Sequence, residues 1–180
     1  MSEVREIMII VDLEATCCDE RKIPRDEMEI IEIGAVAVKT ADGSVLAEYQ
    51  SFVRPVRHPA LTTFCMGLTG IQQEDVDIAR SFPDVLPEFA AWLKEQHPGV
   101  WGSWGDYDRN QFAGDCGYHH LENPLPKRHR NIKQEFASAH GKKKMGVAEA
   151  LEYLGLEFEG RHHRALDDTK NIARLYGRML

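Results

Sequence analysis

The sequence predicts a mixed α/β fold, on three observations. Apolar, β-branched runs fill its early part. Helically spaced apolar residues dominate afterwards. One helical stretch also lies between two strand-like runs, so strands and helices share a core rather than forming separate layers of the chain.

Ile7 to Asp12 reads as the first strand. Ile30 to Lys39 reads as the second, followed by the turn residues Ala41-Asp42-Gly43-Ser44 and a returning run, Val45 to Val53. This is the pattern of an antiparallel hairpin. Pro55 and Pro59 close the strand region. Ser81 is the N-cap expected of a helix with Pro83 in its first turn. Phe82, Val85, Leu86, Phe89, Trp92 and Leu93 give that helix one buried face, and Gly99 is expected to end it. Val100 to Trp104 is a short interior strand. Helices follow over Asp108 to Tyr118, over Ile132 to His140 with Gly141 as the stop, around Val147 to Leu154, and from Ala165 onward.

A chain of 180 residues, 43% hydrophobic and 28% charged, is one domain's worth of sequence. The net charge of −7 and pI of about 5.6 argue against a protein that coats duplex nucleic acid. They leave room for an enzyme that grips a few nucleotides. Cys17, Cys18, Cys65 and Cys116 show no CxxC spacing, so zinc is not expected, and free thiols fit a reducing compartment. The N-terminal segment is charged, its apolar run is too short for a signal-peptide core, and no stretch approaches a membrane span. The expectation is a soluble cytoplasmic protein with no membrane partner.

Asp12 and Glu14 stand at i and i+2, which on a strand point to one side. Two carboxylates that close repel, and a divalent cation between them removes the penalty. Ala15 and Thr16 follow, small enough for a ligand to approach the backbone. Gly105-Asp106-Tyr107-Asp108 opens a helix, and spacing alone leaves Asp106 and Asp108 as equal candidates for a further ligand or a cap. His163 precedes Asp168 by five residues at the start of the last helix. Such a histidine suits general-base work, because its ordinary pKa lies near operating pH. His162 reads as a surface residue and Asp167 as a cap. Arg161 and Arg164 are candidates for a phosphate contact. Lys127-Arg128-His129-Arg130 and Lys142-Lys143-Lys144 either track phosphates or are solvated faces. Trp101, Trp104 and Tyr107 either stack on bases or belong to the core.

Val11-Asp12-Leu13-Glu14-Ala15-Thr16-Cys17, Leu68-Thr69-Gly70-Ile71 and the run from His163-Arg164-Ala165-Leu166-Asp167-Asp168 to Arg174 resemble the DEDDh exonucleases. The likeness covers nearly all of the chain and takes in Phe64-Cys65-Met66-Gly67 and Gly160-Arg161. Within the family it points to the branch of the histone-mRNA 3′-end exonuclease and the KapD proteins. The resemblance implies a ribonuclease-H-like, DnaQ-type fold: a mixed five-stranded sheet flanked by helices, as one exonuclease domain over residues 1–180. It implies Asp12, Glu14, Asp108 and Asp168 as metal ligands and His163 as general base. It places the acid of the second motif a few residues before an anchor, here Phe112, and the branch's Trp-Asp or Tyr-Asp step, here Tyr107-Asp108, selects Asp108 over Asp106. Leu68, Thr69, Gly70 and Ile71 would cradle the terminal nucleotide. Arg109, directly after the ligand, departs from the apolar residue of close relatives. The implied reaction is two-metal hydrolysis with Mg²⁺, or Mn²⁺ in its place, releasing nucleoside 5′-monophosphates from single-stranded 3′ ends, RNA favoured over DNA. The rivals are an inactive end-binding module, which should lack one of the five residues, and a phosphohydrolase of small nucleotides.

Overall fold

Alternation along one strand sets the architecture. The computed structural model describes residues 6–19 and 22–180; the charged segment Met1–Arg5 lies outside them. β1 (Ile7–Ala15) sends Ile9, Val11 and Leu13 into one buried cluster and Met8 and Ile10 into a second on the opposite face. β2 (Ile30–Lys39) pairs with β1 antiparallel, and β3 (Val45–Phe52) pairs with β2 antiparallel. β4 (Val100–Ser103) joins the other side of β1 in parallel, and β5 (His129–Asn131) extends it in parallel. The five-stranded order is β3-β2-β1-β4-β5, so β1 is the central strand.

The expected hairpin is present. The Lys39 N–H donates to the Ser44 carbonyl, and Gly43 at φ +72° supplies the left-handed step. β1 runs three residues beyond Asp12, because its pairing with β2 continues through Glu14 opposite Glu32.

α1 (Thr63–Thr69) and α2 (Gln73–Asp77) cover the end of the sheet near Ala15. Sequence periodicity does not reveal them, since five or seven residues are too few to show a 3.6-residue repeat. The same applies to the 3₁₀ turn Arg25–Glu27 and to β5. α3 (Phe82–Gln96) buries its predicted face. It ends three residues before Gly99, with His97 in the left-handed cap position at φ +49°. α4 (Tyr107–Tyr118) packs beside α3 through Phe112, which contacts the rings of Phe82 and Phe89. On the other face lie α5 (Ile132–Ala139), α6 (Val147–Tyr153) and α7 (Ala165–Gly177). Gly141, at φ +62°, ends α5 as expected.

Gly34 on β2 faces the first turn of α7. A Cβ there would lie 2.2 Å from the Ala165 carbonyl carbon and 2.3 Å from the Leu166 nitrogen. Both are backbone atoms and cannot rotate away. Gly34→Ala is therefore expected to destabilise the fold by about 2–3 kcal/mol, the cost of overpacking a tight core. Urea unfolding should show a lowered midpoint with an unchanged slope.

Candidate active site

The face of β1 that buries Met8 and Ile10 continues as Asp12 and Glu14. The same side chains that would have been core become the floor of a cleft of about 410 Å³. Asp168 arrives from the first turns of α7, which the bare backbone of Gly34 lets settle on the sheet. One carboxylate oxygen from each of Asp12, Glu14 and Asp168 lies within 4.8 Å of the other two. Asp108 comes from the first turn of α4 and lines the same cleft. Its Oδ1 accepts the Leu13 N–H at 3.1 Å, which fixes it against β1 but outside the close trio. Asp106 stays exposed, accepts from Asn131 Nδ2 and pairs with Arg109. Between the two candidates, only Asp108 enters the cleft.

Burial and mutual repulsion raise the pKa of every one of these acids. Asp12 is held well above the usual carboxylate range, first by burial and then by Asp108, Asp168 and Glu14. Glu14 is pushed up to about 9 by burial and then by Asp168 and Glu32. Asp108 and Asp168 are raised to about 7, with burial outweighing the backbone N–H groups that hold their charged forms. An all-oxygen set of this kind, costly to ionise unaided, fits a divalent cation. Among the described residues no cysteine or histidine joins the trio. Cys17 lines the cleft and packs against the cluster of Cys65, whereas Cys18 Sγ accepts the Ile23 N–H.

His162 and His163 both line the cleft, with their rings stacked 4.1 Å apart. His163 adopts φ +64°, and its N–H donates to Asp168 Oδ2 at 2.8 Å. The carboxylate thus locks the backbone of the residue whose imidazole overlooks it. Asp167 holds the other side of the loop by accepting the Arg161 N–H. His162 is nearer the acids than expected, with Nε2 3.6 Å from Asp168 Oδ1. Burial lowers the pKa of both imidazoles, favouring the neutral form that accepts a proton.

The remaining sequence expectations divide. Ala15 and Leu68 line the cleft, as do Trp104 and Tyr107. Thr16, Thr69, Gly70 and Ile71 stand behind the wall instead. The Thr16 hydroxyl accepts the Glu29 N–H, Thr69 bonds within α1, Gly70 is the left-handed cap of that helix, and Ile71 is core. Of the four expected cradle residues, Leu68 lines the cleft. Trp101 is buried in the core. The guanidinium of Arg164 bonds both oxygens of Glu32 at 3.2 Å through Nε and Nη2. Arg130 is tied to Glu135 and Tyr176, so the first basic run presents only Lys127 and Arg128 as exposed cations.

Glu32 is the residue that sequence reading missed. It is fully buried, directly opposite Glu14 in the β1–β2 register, and it accepts the Ala165 N–H as well as Arg164. Like charges opposed across a ladder repel, and Arg164 offsets one of them. The signal was a lone acid inside the apolar run Ile30-Ile31-Glu32-Ile33.

Four acids converging from the central strand and two helix starts, beside two imidazoles, match an exonuclease. The chain belongs to the exonuclease family of RNase T, whose model matches residues 9–176. Its nearer likeness is to the DEDDh branch that acts at 3′ ends. The 3′-5′ exoribonuclease 1 of Mus musculus is 35% identical over 97% of this chain and 53% of that protein. This chain therefore spans about half the length of that relative. The nuclease domain of 3′hExo, a DEDDh family member solved with bound rAMP, has a TM-score of 0.89 at 31% identity, covering 99% of this chain and 94% of that one. A 3′-exonuclease solved in recognition of a histone mRNA stem-loop has a TM-score of 0.90 at 32% identity, covering 97% and 81%. The ribonuclease-H-like sheet expected from the sequence is the fold these structures share.

A pH dependence follows from the raised carboxylates. In the folded chain Asp108 and Asp168 keep protons near pH 7 that the unfolded chain releases at about 4. Their stabilising contribution is complete below about 4 and is lost as pH rises through 7. In EDTA the melting temperature should fall between about pH 4 and pH 7. Asp12→Asn should flatten that fall, as should millimolar Mg²⁺ or Mn²⁺. An equal fall in all three conditions would remove the electrostatic account of the cluster.

Proposed function

We propose that residues 1–180 form one exonuclease domain that removes nucleoside 5′-monophosphates from the 3′ end of single-stranded RNA. The observation that carries this reading is the meeting of Asp12, Glu14 and Asp168 within 4.8 Å, with Asp108, His162 and His163 around the same cleft. The relatives' own names, as exoribonucleases, favour RNA over DNA.

In this reading Asp12, Glu14, Asp168 and Asp108 hold two divalent cations, Mg²⁺ in the cell and Mn²⁺ as a substitute. The bound ions supply an acidified water and a countercharge for the departing 3′-oxygen. His163 takes the proton of the attacking water, and its neutral form suits that role. Asp168 gives a second service by fixing the His163 backbone. Leu68 and Trp104 form an apolar wall for the terminal nucleoside. Glu32 and Arg164 position the start of α7 rather than touching substrate. Four free thiols fit a reducing compartment, the cytoplasm, and among the described residues no helix is long and apolar enough to cross a membrane.

The test uses a 5′-labelled single-stranded oligoribonucleotide with Mg²⁺. The wild type should give a ladder that shortens from the 3′ end and stops on addition of EDTA. Asp12→Asn or Asp168→Asn should abolish the ladder while the protein stays folded. His163→Ala should slow it by roughly 10²–10⁴-fold, the size of a lost general base. Full activity in His163→Ala would pass the base assignment to His162.

A further inference from the structure

A second cavity, of about 450 Å³, adjoins the catalytic cleft and shares Met28 and Tyr107 with it. The two run along one helix. Tyr107 and Asp108 of α4 face the cleft, while Asn110, Gln111 and Gly114, up to two turns further on, line the cavity. The 3₁₀ turn Arg25–Glu27 forms part of its rim.

Its chemistry differs from that of the cleft. The cleft floor is acidic, a set of oxygens suited to cations. The cavity carries two guanidinium groups against the single carboxylate of Asp26. Arg57 is committed to the fold: it donates to the carbonyls of Asp26 and Met28, packs over the Tyr118 ring and lies 3.8 Å from Glu29. Arg25 is exposed, with its guanidinium 6.0 Å from the centre of the Tyr107 ring. Gly114 leaves one wall open, since a Cβ there would meet nothing within 4 Å. A cation, an aromatic ring and an amide around an open hollow are the elements that hold one unit of single-stranded nucleic acid.

We propose that this cavity is a second nucleotide subsite, which takes the nucleotide adjoining the one being removed, with Arg25 on its phosphate and Tyr107 as the partition between the two units. The assignment rests on the exonuclease reading for the identity of the strand. The apolar wall of Leu68, Trp104 and Val147 serves the terminal nucleoside, and the cationic cavity receives the strand behind it.

Binding rather than cutting tests it, in an Asp12→Asn background with Mg²⁺, by fluorescence anisotropy of a labelled oligoribonucleotide and by competition with 5′-AMP. Adding Arg25→Ala should weaken the oligomer about tenfold, the size of one charge-assisted contact. It should also reduce the slope of log affinity against log salt by about 1. Gly114→Trp, which fills the hollow from an exposed helix position, should weaken the oligomer without the change in salt slope. Neither change should move the affinity for 5′-AMP. Unchanged oligomer binding in both variants overturns the subsite, as does an equal loss for 5′-AMP. Loss confined to a Lys143→Ala, Lys144→Ala variant places the strand on the opposite side and overturns it too. The expected binding pattern in a chain whose wild type cuts nothing would uphold the subsite and overturn only the exonuclease reading.

Discussion

The site depends on the two-residue period of β1. Met8 and Ile10 pack under the helices of one face, and two steps further the same face presents Asp12 and Glu14. At the transition β1 loses its pairing with β4, which ends at Ile10, while its pairing with β2 continues in register through Glu14. Hydrophobic burial of the first half therefore sets the aim of the second. A slip of one residue would send both acids into the cluster of Phe89 and Phe112, where no cation or solvent could reach them. The core thus fixes the register, and the register fixes the chemistry.

Packing on this face must also tolerate like charges. Asp12, Glu14, Glu32 and Asp168 crowd one end of the sheet, and the charges of Asp168 and Glu32 add to burial in raising the pKa of Asp12 and Glu14. The fold offsets part of this internally. Arg164 and the Ala165 N–H satisfy Glu32, and the N–H groups of Leu13 and His163 satisfy Asp108 and Asp168. Among the described residues no N–H donates to the carboxylate of Asp12 or Glu14, and these two acids are the pair most dependent on a cation. The division separates acids that hold elements together from acids left to bind.

Much of this was legible in the sequence because it rests on local pattern. The spacing of Asp12 and Glu14, the β2–β3 hairpin and the apolar faces of α3 and α7 follow from strand and helix periods. Gly141 was a readable stop. His97 was not, because a left-handed cap on a non-glycine residue leaves no compositional mark. α1, α2 and β5 were too short to show a period. Among the site residues, the tie between Arg164 and Glu32 was not legible, because they lie 132 positions apart and only the fold brings them together. Thr16, Thr69 and Ile71 sit beside cleft-lining residues in sequence, but helix and turn geometry rotates them inward. Proximity along the chain predicted the neighbourhood and not the orientation.

Gly34 gives the cleft an unusual mechanical character. At Gly34 a single hydrogen separates β2 from the first turn of α7, so no compliant side chain lies under the turn that leads into Asp168 and steadies the histidine loop. Here any displacement of the sheet passes undamped to the reacting groups. A side chain larger than hydrogen at this one point of the sheet would therefore shift the aim of Asp168 and the seat of the histidine loop together.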